Sequence, residues 1–177
     1  MWARYRGAMT TFDLRSVALR GGEQHRERVE VELEPLLLGG QEYDPSPNPA
    51  PAELIVTRAS SGTLFELTFR VSLHGPCFRC LGDAELELAL HGREYQATSP
   101  GDDDELRTDY LDDDRLDLSA WARDAVALEL PDKILCRPDC AGLCPVCGKD
   151  LNEEPHEHAA KDVDSRWAAL RSLREAE

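Results

Sequence analysis

The residues of this chain best suited to do chemistry are its six cysteines. One pair forms the segment Cys77-Phe78-Arg79-Cys80, and a short downstream stretch holds the other four, Cys136, Cys140, Cys144 and Cys147. A Cys-x-x-Cys turn directs two thiolates to one point, and a following glycine, such as Gly82 or Gly148, can adopt the positive φ that the turn favours. Tetrahedral zinc needs four such ligands, so the pairs predict a structural zinc site.

The spacing leaves three arrangements of the thiols open. The favoured one joins Cys77 and Cys80 to Cys144 and Cys147, because a site closed from two distant loops constrains the unfolded chain most. In the second, the four downstream cysteines bind one metal among themselves. In the third, the additional thiols share a second metal or are redox-active. Iron also accepts four thiolates, so residue type leaves the metal open between zinc and iron.

His156 and His158 are the histidines closest in sequence to the cysteine-rich segment. Glutamates and a proline surround them, which favours a solvated loop over a place among the metal ligands. A catalytic zinc keeps an open coordination position, often beside a histidine and a carboxylate base. The chain also shows no phosphate-binding glycine loop, nucleophile elbow or paired-carboxylate signature, so an enzyme is not expected.

The charge and composition of the chain limit the kinds of binding partner that it can have. The chain has 177 residues, 41% of them apolar, and a net charge of −15. Residues 1–28 carry a net charge of +3, whereas residues 101–117 hold nine acidic side chains against two arginines. Such a chain is a poor general nucleic-acid binder, so an RNA contact has to be local and a basic protein is an equally natural partner. No apolar run could span a membrane and no secretion leader is visible, which predicts a cytoplasmic protein with reduced thiols.

Alternation of apolar and polar residues predicts β-strands over residues 29–34, 54–57, 64–73 and 84–90. The last two flank the first cysteine pair, which places that pair at the tip of a predicted hairpin. Residues 45–51 have proline at every second position and are expected to form an extended surface connector, because proline cannot donate a ladder hydrogen bond. The acidic residues 101–117 are predicted to be a mobile loop.

Apolar spacings of three and four predict a helix over residues 119–130, capped by Asp117 or Ser119 and with the apolar stripe Leu118, Trp121, Ala125 and Leu128. The same spacing predicts a second helix over residues 163–173. The predicted fold is α+β, mostly antiparallel strands with two helices in the C-terminal half and a structural zinc site. One domain is expected over residues 12–177, with an acidic loop at 101–117, a zinc-binding segment at 136–148 and a flexible extension at 1–11.

Several of these motifs resemble the YceD-like proteins. The matching segments are Cys77-Phe78-Arg79-Cys80-Leu81, Leu130-Pro131, residues 136–152, Arg166-Trp167 and, near the N-terminus, Phe12-Asp13-Leu14. This family is associated with the accumulation and processing of large-subunit ribosomal RNA. Some of its members keep the first cysteine pair and lack the downstream cysteines.

The resemblance implies a non-enzymatic factor that promotes large-subunit ribosomal RNA accumulation or ribosome assembly and is stabilised by cysteine-bound Zn²⁺. Its implied partner is a large-subunit ribosomal RNA precursor or a basic ribosomal protein, with no membrane and no small-molecule substrate. Arg79, held between two cysteines, is the best candidate for contact with phosphate or an acidic partner, the plainer alternative being a salt bridge to a nearby glutamate. The alternative function is an acidic, chaperone-like binder of a basic ribosomal protein that uses residues 101–117.

Overall fold

The structure is a computed structural model that describes residues 9–99 and 106–158. The chain divides into two compact units, residues 1–140 and residues 141–177, and each is described here by itself. The described part of the first unit contains one α-helix and otherwise antiparallel β-strands, so the predicted fold class is confirmed in its main feature. The second predicted helix, over residues 163–173, lies outside the described residues.

The described residues of the first unit form nine strands: β1 Thr11–Asp13, β2 Gln24–Val31, β3 Leu36–Leu38, β4 Gln41–Ser46, β5 Ala50–Arg58, β6 Gly62–Pro76, β7 Asp83–Ala97, β8 Leu111–Asp112 and β9 Arg115–Asp117. Its helix α1 spans Leu118–Glu129 and begins at Asp117, whose carboxylate accepts a hydrogen bond from the Ala120 N–H at 2.9 Å. Asp117 is therefore the cap that the sequence predicted as one of two candidates.

The main sheet has the order β2-β5-β6-β4-β3, and β7 pairs with β6 along its whole length. The register of this long hairpin runs from Gly62 opposite Ala97 to Pro76 opposite Asp83. Residues 77–82, with the first cysteine pair, are therefore the hairpin loop, as the sequence predicted. A loop held between two strands of 15 residues each has fixed ends, which is what a pair of metal ligands requires.

The core lies on one face of the main sheet. Alternate side chains of β6 are buried there, namely Phe65, Leu67, Phe69, Val71 and Leu73, which confirms the predicted period of two. Helix α1 lies close to β7 at Gly92, where a Cβ atom would come within 2.8 Å of the Trp121 indole nitrogen. The smallest residue on the strand therefore makes room for the largest residue on the helix.

The buried face of α1 differs from the predicted stripe. Leu118, Trp121, Ala122 and Val126 are buried, whereas Leu128 is 86% exposed. At 100° per residue the buried face is centred on positions 118, 122 and 126, and position 128 falls at its margin in the last turn. Leucine at a spacing of seven from Trp121 was therefore a misleading signal.

Residues 47–49 connect β4 and β5, as the sequence predicted, but the ends of the proline-rich segment 45–51 lie inside these two strands. Pro45 lies opposite Leu73 and Pro51 lies opposite Glu30. The ladder between β5 and β6 begins one residue after Pro51, at Ala52, so this proline has a neighbouring strand on only one side. Proline is tolerated in a ladder where its missing N–H faces no partner, and the predicted connector was too long because the sequence does not reveal that geometry.

The described part of the acidic segment, residues 106–117, is more ordered than predicted, and residues 101–105 lie outside the described residues. Its end forms the hairpin of β8 and β9, and β9 pairs with β1 in a second, three-stranded sheet. Arg15 donates to the Asp114 carboxylate at 3.2 Å and to the Asp113 carbonyl at 2.9 Å, which holds the hairpin turn. The extension predicted for residues 1–11 ends inside the fold, because the Leu118 N–H donates to the Thr10 carbonyl; residues 1–8 lie outside the described residues. Among the described helical residues there is no stretch long and apolar enough to cross a membrane.

Candidate metal centres

The loop of residues 77–82 folds back on its own first cysteine. The Cys77 N–H donates to the Gly82 carbonyl at 2.6 Å, and the Leu81 N–H donates to the Cys77 carbonyl at 3.0 Å. The Arg79 N–H points at the Cys77 sulfur from 3.5 Å. Leu81, and not the following glycine, takes the positive φ, at 62°. These contacts close a Cys-x-x-Cys turn with both sulfurs on one side.

Two contacts join this loop to the segment that follows α1. The Phe78 N–H donates to the carbonyl of buried Ile134 at 2.8 Å. The Arg79 guanidinium donates to the Cys140 carbonyl at 2.7 Å, where the sequence analysis had weighed a salt bridge to a glutamate. Arg79 thus bridges the two loops that supply cysteines, and its position as a link between them is a finding of the structure.

Four thiols meet where these loops join: Cys77, Cys80, Cys136 and Cys140, with all sulfurs within 4.8 Å of one another. The sulfurs of Cys77 and Cys140 are 3.8 Å apart, and those of Cys80 and Cys136 are 3.7 Å apart. Four thiolates at the usual zinc–sulfur distance of about 2.3 Å form a tetrahedron with an edge of about 3.8 Å. The donors present therefore fit a tetrahedral thiolate metal, and we call them the four-cysteine group.

The pKa values of two thiols in the four-cysteine group also favour a bound cation. Burial raises the pKa of the Cys77 thiol, but the N–H groups of Cys80, Cys136 and Arg79 outweigh burial and lower this pKa to about 6. Burial and the neighbouring Cys140 and Cys80 thiols raise the pKa of Cys136 to about 12. Near neutral pH these values make Cys77 a thiolate while Cys136 keeps its proton. A divalent cation supplies the positive charge that allows all four thiols to ionise together.

The second unit contains another Cys-x-x-Cys turn. The Cys144 N–H donates to the Lys149 carbonyl and the Gly148 N–H donates to the Cys144 carbonyl, both at 2.8 Å. The Val146 N–H points at the Cys144 sulfur from 3.4 Å, and Gly148 takes the positive φ, at 74°. Hydrogen bonds from the Cys147 and Val146 N–H groups, working against burial, lower the pKa of the Cys144 thiol to about 6. This turn repeats the geometry of the first.

Two histidines complete this second group. The Nε2 atom of His156 is 3.1 Å from the Cys147 sulfur, and its Nδ1 atom donates to the Glu154 carbonyl at 2.7 Å. The His158 ring meets the His156 ring edge-on, with centroids 4.9 Å apart. One ligand atom from each of Cys144, Cys147, His156 and His158 lies within 4.8 Å of the others, and we call these residues the cysteine–histidine group.

The structure therefore brings all six predicted cysteines into two groups, but not in the favoured arrangement. Cys77 and Cys80 meet Cys136 and Cys140, where spacing had favoured Cys144 and Cys147 as their partners. His156 and His158 lie in a loop, as the sequence indicated, with His156 half-buried and His158 exposed, but both are also within ligand distance of the second turn, which the sequence did not favour. A His-x-His pair about ten residues after a Cys-x-x-Cys turn was the signal that could have revealed them.

The surface beside the four-cysteine group combines an aromatic ring with cations. Phe78 is 40% exposed, and the Lys133 ammonium lies 5.0 Å from the centre of its ring. Arg79 and Arg137 are exposed on the two cysteine-bearing loops. Tetrathiolate zinc carries a formal charge of about −2, so nearby cations also offset the charge of an occupied group.

Comparison with known proteins gives relatives over most of this chain. It is 37% identical to the uncharacterized protein Rv2926c of Mycobacterium tuberculosis over 67% of its own length. It is 32% identical to the uncharacterized protein ML1660 of Mycobacterium leprae over 71% of its length, and 28% identical to the uncharacterized protein YlbN of Bacillus subtilis over 62%. These matches span 58%, 59% and 64% of the relatives' own lengths. No solved structure matches the chain significantly.

A family model matches residues 65–174, which include both loops of the four-cysteine group and the whole cysteine–histidine group. That match covers more than half of the 177 residues and confirms the resemblance seen in the motifs. The chain belongs to the YceD family, described as the large ribosomal RNA subunit accumulation protein YceD.

Proposed function

We propose that this protein is a non-enzymatic cytoplasmic factor that promotes the accumulation of large-subunit ribosomal RNA, by acting on its processing or on ribosome assembly. Family membership is the single observation that carries the proposal, because the family is described by that role. The chain spans about 58% of the length of its mycobacterial relatives, so the proposal concerns the part that they share.

In this proposal the four-cysteine group holds a zinc ion with a structural role. The sulfur–sulfur distances of 3.7 and 3.8 Å support a tetrahedral thiolate site, and four protein ligands leave no open position for substrate. The metal joins the hairpin loop to the segment after α1 and thereby holds Phe78 and Arg79 in place. Metal analysis of protein purified without added metal distinguishes zinc from iron, the alternative that thiolate ligands also suit.

The proposed RNA contact is the surface made by Phe78, Arg79 and Lys133. Single-stranded RNA is recognised by stacking of bases on aromatic rings and by cations at its phosphates, and this surface offers both. The chain as a whole is acidic and repels RNA phosphates. An RNA contact is therefore expected at a surface where cations are concentrated, as they are here.

Purification of the tagged protein from its own cells after crosslinking, with sequencing of the bound RNA, tests this function. We expect enrichment of large-subunit ribosomal RNA precursors that the double variant Phe78→Ala, Lys133→Ala reduces at least tenfold. The matched control is Leu128→Ala, Arg123→Ala, which removes one exposed apolar and one exposed basic side chain from α1. Equal RNA recovery from both variants would rule out this surface, and no enrichment in the wild type would rule out direct RNA binding.

The second candidate function is chaperone-like binding of a basic ribosomal protein. The observation in its favour is the exposed acidic turn at Asp112, Asp113 and Asp114, in a chain with a net charge of −15. Replacing Asp112 and Asp113 with asparagine, together with Asp102, Asp103 and Asp104, separates the two functions. The chaperone function requires loss of a co-purifying basic protein in this variant, whereas the RNA function requires that RNA recovery is kept or rises.

A further inference from the structure

We propose that the cysteine–histidine group is a second zinc site, independent of the four-cysteine group, and that its metal is what folds residues 141–158. This goes beyond the proposed function, which needs a metal only at the four-cysteine group. Cys144 and Cys147 supply two thiolates and His156 and His158 supply two imidazoles. That donor set is one of the common closed sets for structural zinc.

The histidine nearest the thiols is already arranged as a ligand. Because the Glu154 carbonyl can only accept a hydrogen bond, the proton of neutral His156 lies on Nδ1. The lone pair of Nε2 then faces the Cys147 sulfur from 3.1 Å. An imidazole whose far nitrogen donates to a backbone carbonyl is the usual arrangement of a zinc-bound histidine.

The backbone of the same segment is organised around the thiols. Leu143 and Asp150 form an antiparallel bridge across the Cys144–Cys147 turn, and the Leu151 N–H donates to the Gly142 carbonyl at 2.9 Å. The Asn152 side chain accepts from the Ala141 N–H at 2.8 Å, which closes the segment at its other end. These bonds fix the direction of both sulfurs, but they are few and mostly exposed to water.

Residues 141–158 contain almost no apolar core that could maintain these bonds. Gly142 and Cys144 are the only buried residues in that range, and Val146 is exposed. A segment of this size cannot bury enough apolar surface to offset the conformational entropy lost on folding, which is about 1–2 kcal/mol per residue for the backbone alone. Metal binding at a set of four converging ligands is the remaining source of stability that the described side chains offer.

The two sites also differ in charge. Zinc on four thiolates carries about −2, whereas zinc on two thiolates and two neutral imidazoles is neutral. A neutral site needs no surrounding cations. The cysteine–histidine group matches this expectation: its nearby Lys149 is paired with Glu154 at 2.6 Å. The two groups therefore form chemically distinct sites that spectroscopy can separate.

Native mass spectrometry of the full chain with Zn²⁺, together with the absorption spectrum of the Co²⁺ form, tests the second site. We expect two zinc ions per chain in the wild type and one in the double variant His156→Gln, His158→Gln, with loss of the Co²⁺ bands of mixed sulfur–nitrogen ligation. Hydrogen exchange at residues 142–152 should accelerate at least tenfold in this variant, while β6 and β7 keep their protection. The matched control is His25→Gln, His91→Gln, which removes two histidines from strands β2 and β7.

Cys147→Ser should repeat the loss of one zinc ion and of the mixed-ligand bands. A single zinc ion in the wild type, or two zinc ions retained in both variants, would overturn the proposal. Because the readouts are metal stoichiometry and local protection, failure here is distinct from failure of the RNA-binding proposal, which RNA recovery decides.

Discussion

The two Cys-x-x-Cys turns of this molecule have the same local geometry and very different surroundings. In each, the N–H two residues after the first cysteine points at its sulfur, from Arg79 at 3.5 Å in one turn and from Val146 at 3.4 Å in the other. In each, the residue after the second cysteine takes a left-handed conformation, with φ of 62° at Leu81 and 74° at Gly148. The shape of the turn is therefore a property of the motif.

The surroundings decide how much that shape depends on metal. The first turn joins two long strands that pack over the main core, so its ends are fixed by the sheet. The second turn lies in a segment where Gly142 and Cys144 are the only buried residues between positions 141 and 158. The first turn therefore holds surface residues in place on a sheet that is stable without it. The second turn depends on metal binding at its own ligands for its structure.

Serine substitutions at the first cysteine of each turn give the largest expected difference. Cys77→Ser removes a fully buried ligand next to the core, and we expect loss of one metal ion and of about 3 kcal/mol or more of unfolding free energy. The melting temperature of the first unit should then fall by roughly 10 °C. Cys144→Ser should also remove one metal ion but leave this melting transition unchanged. Calorimetry combined with metal analysis checks both, and an equal fall in both variants would contradict the contrast drawn between the turns.

Chelation of the metal in the wild-type protein should separate the turns within a single sample. Amide protons at residues 142–152 should lose their protection by at least tenfold, because few buried contacts remain to hold them. Amides of β6 and β7 should lose part of their protection as the first unit is destabilised, but should remain well protected, because the sheet keeps its own buried core. Hydrogen exchange followed by mass spectrometry measures both regions together. A fall of protection in β6 and β7 to the level of residues 142–152 would show that the sheet itself depends on metal.

Local patterns in the sequence were sufficient to predict the β-hairpin that carries the first turn. Alternating side chains located β6 and the first half of β7, which continues beyond the predicted end at Leu90 to Ala97. Two strands joined by a short loop generally pair as a hairpin, as these do. The strand positions of Pro45 and Pro51 were not predicted, because whether a missing N–H matters depends on which side has a neighbouring strand. Propensity is local, whereas strand neighbours are set by the whole sheet.

The spacing of the cysteines along the sequence could not predict which of them come together in the fold. Cys136 and Cys140 meet Cys77 only because the chain returns from α1 past the hairpin tip, where Ile134 accepts from the Phe78 N–H. Loop-closure entropy, which favoured Cys144 and Cys147, is a property of the unfolded chain and does not depend on the path of the folded chain. Sequence therefore identified all six thiols as ligand candidates and could not pair them.

Arg79 offers a test of how the first turn is held against its partner loop. Arg79→Ala removes the 2.7 Å bond to the Cys140 carbonyl, and we expect a loss of about 1–2 kcal/mol, because a charged donor is lost from a partly exposed contact. Arg79→Lys should recover part of this, since an ammonium can still donate to one carbonyl. Chemical denaturation measures the loss, and Arg123→Ala on α1 serves as the control. Wild-type stability in Arg79→Ala would leave the carbonyl contact without a structural role.

The residue after the second cysteine gives the smallest and most direct test of the comparison. Gly148→Ala should cost about 1 kcal/mol, because an L-residue is strained at a φ of 74° and the added Cβ would meet no atom within 4 Å that could offset the strain. Leu81→Gly should be neutral or stabilise by up to about 1 kcal/mol, since Leu81 has a φ of 62° and is 58% exposed. Gly21→Ala, with an open Cβ position and no positive φ, is the control.

For Gly148→Ala, the zinc affinity is measured by competition with a chelator. For Leu81→Gly, the unfolding free energy of the first unit is measured by chemical denaturation. A clear loss of stability in Leu81→Gly would mean that the leucine side chain itself supports the first turn, so that the two turns differ in chemistry as well as in surroundings. If Gly148→Ala weakens the protein and Leu81→Gly does not, the positive φ after the second cysteine is strained for any residue with a Cβ atom in both turns. The sheet beneath the first turn then stabilises it enough to allow a leucine at that position.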